Sequence, residues 1–303
     1  MKLLVRKLLP WWLLVAIKVI LARLPISYSF WKRLHLFEHG DMNQPERALE
    51  IFLTHAATGG VLSVGTKAPY LNVKSNDFSV LEFGPGDSLF TAMIAKSLGA
   101  TEVWLIDAGD YVAHETAAYA TLGKLLLSYG FECVDTTVPR SIEEVLRINN
   151  GRYLSNGVAS ISLVPDRSID FCFSNAVLEH IPKKDFAKLA DELHRVIKVD
   201  GVCVHRVDLK DHIGGALNNL RFSDDVWEGH LFRNSGFYTN RIRFSEMLNI
   251  FEHAGFDCQV TRKVTWDKLP TSRSVMARKF SELPKDELRV SGFDLVLRRK
   301  VIN

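Results

Sequence analysis

The sequence predicts an α/β fold: a doubly wound, mostly parallel sheet of seven strands, preceded by an N-terminal helical extension. Two observations carry this. From residue 79 onward, short apolar runs alternate with segments of helical spacing, the order that builds β-α-β units. The runs are apolar almost throughout, as strands covered on both faces require. With 303 residues, 47% of them hydrophobic, the chain can bury one large core.

The elements follow in order. Residues 1–70 read as the extension. Its first segment, MKLLVRKLLPWWLLVAIKVILARLP, has a basic start and an apolar run interrupted by Pro10 and Lys18, short for a membrane span and without a small-x-small cleavage site. A helix over 11–24 would be apolar nearly all round. It either packs on the domain as a lid or lies on a membrane surface, with Trp11 and Trp12 at head-group level and Lys2, Arg6 and Lys7 toward anionic lipid. Residues 47–58 have helical spacing and stop at Gly59 and Gly60. The main domain, 71–303, then contains expected strands at 79–83, 102–107, near Tyr153, and at 169–174, 201–207, 258–264 and 293–298. Helices are expected over 88–98, 116–128, 140–149, 184–197 and 243–254, an insertion over about 212–245, and a polar turn at SELPKDEL, 281–288.

Composition excludes several classes. A net charge of +3, from 38 basic and 35 acidic residues, gives no basic track for nucleic acid. Cys133, Cys172, Cys203 and Cys258 are widely spaced with no C-x-x-C pair, which points to reduced thiols in a cytoplasmic protein and away from a zinc site.

Ligands of such sheets bind beyond the carboxyl ends of the strands. The first strand ends in VLEFGPGDS, 80–88, where Glu82 and Asp87 frame Gly84, Pro85 and Gly86, and Ser88 follows. A P-loop would continue with Gly-Lys-Ser/Thr, which is absent, and a dinucleotide fingerprint would need glycine where Leu89 stands. The two acids would oppose a pyrophosphate, whereas they suit a ligand carrying an ammonium and a sulfonium.

VLEFGPGD resembles the first motif of the class I S-adenosylmethionine-dependent methyltransferases, and LVPDRSIDFCFSNAVLEHI, 163–181, resembles their fourth strand and following loop. The resemblance implies a Rossmann-like sheet with an antiparallel last strand and S-adenosyl-L-methionine as cofactor. It further implies Asp107 at the ribose hydroxyls, Asn156 at adenine, Ser174 and Asn175 at the cofactor, and Glu179 and His180 near the site mouth. Together with HRVDLKDH and SGFYTNRIR the chain is similar to bacterial methyltransferases associated with cell-surface polysaccharide synthesis, which implies a glycan or small-molecule acceptor.

The acceptor side is read from HRVDLKDHIGG, 205–215. O-methylation requires the acceptor hydroxyl to lose its proton, and His212 is the first choice of base, with Asp208, Asp211 and His180 beside it. Alternatively, Asp208 and Asp211 with a further carboxylate hold Mg²⁺. His205, Trp227, His230, Tyr238, Asn240 and Arg241 are the expected acceptor-binding residues, aromatics stacking on a sugar face while polar groups bond its hydroxyls. Two other functions stay open. An NAD-dependent sugar oxidoreductase is disfavoured by Leu89, Asp87 and the lack of a Tyr-x-x-x-Lys pair; a membrane-associated cofactor-binding scaffold would not turn over. The expected setting is cytoplasmic, at the inner membrane face if residues 1–24 lie on lipid, and the oligomeric state is open.

Overall fold

A computed structural model describes residues 43–64, 69–71, 77–131 and 135–300, together with Trp12 and Leu13. Trp12 and Leu13 are helical and Trp12 is exposed. The rest of the expected 11–24 helix, its flanking charges and Cys133 lie outside the described residues. Among the described residues, no helix is long and apolar enough to cross a membrane.

Helix α1 (Pro45–Thr58) begins with a proline in its first turn, where the missing N–H costs nothing, and ends at Gly59. Its buried face carries Phe52, which meets Phe171 and Phe173 edge-on at 5.9 and 5.6 Å. This helix, expected within an extension, is therefore part of the main core. The chain next forms an antiparallel pair, β1 (Leu62–Val64) with β2 (Pro69–Leu71), in a stretch expected to be helical or loop.

The main sheet follows the predicted alternation: β3 (Ser79–Phe83), α2 (Phe90–Ser97), β4 (Glu102–Ile106), α3 (Ala117–Ser128), α4 (Ile142–Ile148), β5 (Gly151–Leu154), β6 (Ile169–Asn175), α5 (Phe186–Val196), β7 (Ile197–Asp208), α6 (Phe244–His253), β8 (Phe256–Thr265) and β9 (Val290–Arg299). Its seven strands run in the order β5-β4-β3-β6-β7-β9-β8. All pairs are parallel except those of β9, which is antiparallel to β7 and β8. Successive side chains leave opposite faces, and both faces are apolar. Val80, Phe171, Phe173, Val202 and Val204 pack beneath α1, α2 and α3. Leu81, Cys172, Cys203, Leu295 and Leu297 pack beneath α5 and α6. Cys172 and Cys203 are buried free thiols and Cys258 is half-buried and free.

Two excursions cap the carboxyl edge. Residues 209–243, expected as an insertion, contain short helical turns at Asn218–Arg221, Asp224–Trp227 and His230–Arg233. Residues 266–289 were expected to hold only a polar turn, but form Arg278–Ser281 and Lys285–Arg289. They bury Met276, Phe280 and Leu288 against Leu217 and Leu220 of the first excursion.

Candidate active site at the carboxyl edge of the sheet

The bend after β3 is set by two glycines in the left-handed region, Gly84 at φ +81° and Gly86 at +72°. A Cβ on Gly84 would fall 2.4 Å from Val177 Cγ2, so the bare backbone there also admits the loop after β6, a packing role beside the expected ligand approach. The bend is tied to its neighbours: the Gly84 amide donates to Ile106 O at 2.8 Å and the Gly86 amide to Asp107 Oδ2 at 2.9 Å. The Leu89 amide donates to the Tyr119 hydroxyl at 3.0 Å, and the Asp87 carbonyl accepts from the Ala113 amide at 3.0 Å. Pro85, Asp87 and Ser88 are buried within the bend.

The two expected framing acids part company. Glu82 is 2% exposed and sits beneath the turn, so it does not border the ligand space as expected. Burial pushes its pKa up to about 8, against a hydrogen bond from Thr91, and the charge of Asp107 adds to the rise. Asp107 closes β4. Burial raises its pKa to about 6, while the amides of Gly86 and Ala108 pull the other way. Each of its oxygens accepts one amide proton, from Gly86 and Ala108, which leaves two of the roughly four acceptor positions of a carboxylate for a ribose diol.

Beside Asp107, the Gly157 amide donates to its carbonyl at 2.7 Å and thereby brings the exposed Asn156 to the same strand end. Tyr111 and Tyr153 border the site as well, their hydroxyl pKa values raised by burial and then by the charge of Asp107. Sequence reasoning missed both tyrosines, whose signal was a Tyr on the loop after β4 and another on the neighbouring edge strand. At the end of β6, Asn175 is half-buried, and its Oδ1 accepts no hydrogen bond from a described residue. Asp107, Asn175 and the bend thus offer acceptors to a ligand with a ribose diol and an ammonium, and these acceptors fit S-adenosylmethionine.

The loop after β6 supplies the other half of the site. Ala176 turns it through φ +56°, a costly conformation for a residue with a Cβ, held by a 2.8 Å bond from its amide to Arg206 O. Asn240 Nδ2 donates to Leu178 O and Ile181 O at 2.8 and 2.9 Å, pinning the turn that carries Glu179 and His180. His180 Nδ1 lies 2.9 Å from Tyr238 O; a carbonyl only accepts, so this nitrogen carries the proton and Nε2 of the neutral ring is the acceptor. The His212 ring stands edge-on to His180 at 4.7 Å between centroids. Both imidazoles are half-buried. His212 and His180, expected separately from sequence as catalytic candidates, are therefore brought together.

Other expected roles give way to structural ones. Asp211 is buried: Oδ1 accepts the amides of Ile213, Gly214 and Gly215 at 3.1, 2.6 and 3.0 Å, and Oδ2 that of Asn218 at 2.5 Å. Its oxygens hold the loop that carries His212 and are not presented as a base or Mg²⁺ ligands. Asp208 accepts from the Lys210 amide at 2.9 Å and pairs with Lys210 Nζ at 3.3 Å. Ser174 and His205 face the core instead of a ligand, Ser174 Oγ 2.7 Å from His205 Nδ1, and burial lowers the imidazole pKa to about 3.

Trp227, Tyr238, Asn240 and Arg241 are likewise buried, so they are not available to stack on or bond an acceptor as expected. Trp227 Nε1 donates to Thr239 O at 2.7 Å, and Tyr238 OH to Glu228 Oε2 at 2.8 Å. Arg241 pairs with Asp224 at 2.5 Å under the faces of Trp227 and Phe280. Of the six expected acceptor residues, His230 alone is exposed.

A family model described as a methyltransferase domain matches residues 67–260. No curated protein matches the chain. Among solved structures, YcgJ of Bacillus subtilis is 15% identical with TM-score 0.42, covering 84% of this chain and all of its own. The Burkholderia thailandensis 1,6-didemethyltoxoflavin-N1-methyltransferase, solved with bound 1,6-didemethyltoxoflavin and S-adenosylhomocysteine, is 13% identical with TM-score 0.42, covering 87% of this chain and 80% of its own. A SAM-dependent methyltransferase of Archaeoglobus fulgidus is 10% identical with TM-score 0.41, covering 83% and 94%. The match spans most of the chain and takes in β3 to β7 and the two loops that build the site: the chain belongs to the class I S-adenosylmethionine-dependent methyltransferase family.

Proposed function

We propose that the protein transfers the methyl group to a hydroxyl of a sugar or glycosylated small molecule. The observation that supports this reading is the His180–His212 pair at the mouth of the carboxyl edge, with the His180 tautomer set by Tyr238 O. When bound, S-adenosylmethionine supplies a methyl on a sulfonium, already a good leaving group. Asp107, Asn175 and the glycine bend orient it, and His212 takes the hydroxyl proton as the oxygen attacks, its ring held in place by the edge-on contact with His180. The polar mouth of Asn175, His180, Asp208 and His212, all half-buried, favours a hydroxyl-rich acceptor over an apolar one. A cytoplasmic setting with residues 1–24 on a membrane surface belongs to the same proposal and rests on the basic and tryptophan residues of that segment.

The test is transfer of labelled methyl from S-adenosylmethionine to a panel of sugar nucleotides and glycosides, each compared with its hydroxyl-blocked analogue. Label should enter only acceptors with the free hydroxyl. His212→Ala should lower turnover by roughly 10²- to 10⁴-fold with unchanged S-adenosylhomocysteine affinity. Asp107→Ala should weaken that affinity. Wild-type turnover in His212→Ala would place the base elsewhere.

A further inference from the structure

Beneath the histidine pair lies a group that the proton-transfer reading does not use. Glu179 is 1% exposed, and neither of its carboxylate oxygens accepts a hydrogen bond from any described residue. A carboxylate buried in that way is expensive unless a cation compensates it.

One ligand atom each from Glu179, His180 and His212 lies within 4.8 Å of the others. Donors around a tetrahedral ion with bonds of about 2.0–2.1 Å stand roughly 3.3 Å apart, a difference that a change of rotamer at the half-buried His212 closes while His180 keeps its bond to Tyr238 O. His180 is already prepared as a ligand. Its Nδ1–H is spent on Tyr238 O, which makes Nε2 the nitrogen with the lone pair, the tautomer and carbonyl partner that metal-bound histidines commonly have. The turn that carries Glu179 and His180 is held by Asn240, so two of the three donors sit on a pinned segment. Cys172, Cys203 and His205 also converge, but all three are buried in the core with no approach for a hydrated ion.

We propose that Glu179, His180 and His212 bind one divalent transition-metal ion. Two imidazoles and one carboxylate select zinc, cobalt or manganese over magnesium, whose preferred shell is oxygen throughout. Burial falls from Glu179 outward to the histidines, so the remaining positions of the ion open to the mouth, where an acceptor oxygen or water completes the shell. What the ion does there rests on the acceptor reading above; that it binds does not. An ion and a proton compete for the same imidazole lone pairs, so His212 serves as base only in the ion-free protein.

The full chain, stripped with a chelator and titrated with Co²⁺, should take up one ion per chain and develop visible ligand-field absorption. Glu179→Gln and His212→Gln should each weaken uptake by at least roughly 10-fold. S-adenosylhomocysteine binding, measured on the same samples, reports that both variants are folded. No cobalt absorption in the wild-type chain, or wild-type affinity in the folded His212→Gln variant, overturns the proposal. Failure of the methyl-transfer reading would appear separately, as labelled methyl that enters no hydroxyl acceptor while cobalt still binds.

Discussion

Gly84 shows how one position can look functional for the right reason and act through another contact. Its φ of +81° excludes most side chains, and its missing Cβ is filled by Val177 of the loop after β6. The glycine thus joins the cofactor bend to the segment that carries Glu179 and His180. Gly84→Ala should destabilise the protein by about 2–3 kcal/mol, from the left-handed backbone and the displaced valine together. Adding Val177→Ala should return part of that loss, since it empties the space the new methyl needs. Denaturant unfolding of the two variants measures this; an unchanged Gly84→Ala stability would mean that the bend tolerates a side chain. Asp107 was legible as a strand-end acid, yet its hold on the Gly86 amide was not, because hydrogen bonds between distant residues leave no local pattern.

At the scale of elements, strands were read well because both sheet faces are covered, which writes them as unbroken apolar runs between glycine and proline breaks. The cap was read poorly for a related reason. Its core draws single apolar residues from two separate excursions, Leu217 and Leu220 from one and Met276, Phe280 and Leu288 from the other, and neither shows helical or strand periodicity. Aromatics mixed with polar residues at 227–241 looked like an acceptor surface because stacking on a sugar and packing a small cap use the same residue types. Asp211 illustrates the ambiguity: four amides converge on it, so it builds the loop on which His212 stands. Asp211→Ala should strand those amides and cost roughly 2–4 kcal/mol locally. Hydrogen exchange should speed up across 211–218 while S-adenosylhomocysteine affinity holds. Protection equal to wild type over those residues would show that the loop is held by other means.

For the whole molecule, the same coverage of the sheet that makes the fold readable places ionisable groups in a core that resists charging them. Glu82 and His205 do so with opposite signs. The His205 pKa is depressed to about 3, so its contribution is present above its ordinary value of 6.5 and is lost as pH falls toward 3. The Glu82 pKa is raised from 4.5 to about 8, so its contribution is complete below 4.5 and is lost as pH rises through 8. Glu82→Gln separates the two, because glutamine keeps the shape and the bond to Thr91 without a titrating proton. Relative to this variant, the wild-type protein should lose stability on going from pH 4.5 to 8, by at most about 1.4 kcal/mol per pH unit, and then level off. Unfolding midpoints of the two proteins, followed in guanidinium chloride across that range, should therefore diverge with the wild type falling behind. Parallel curves would mean that Glu82 ionises at its ordinary pKa, and that the space beneath the glycine bend admits water.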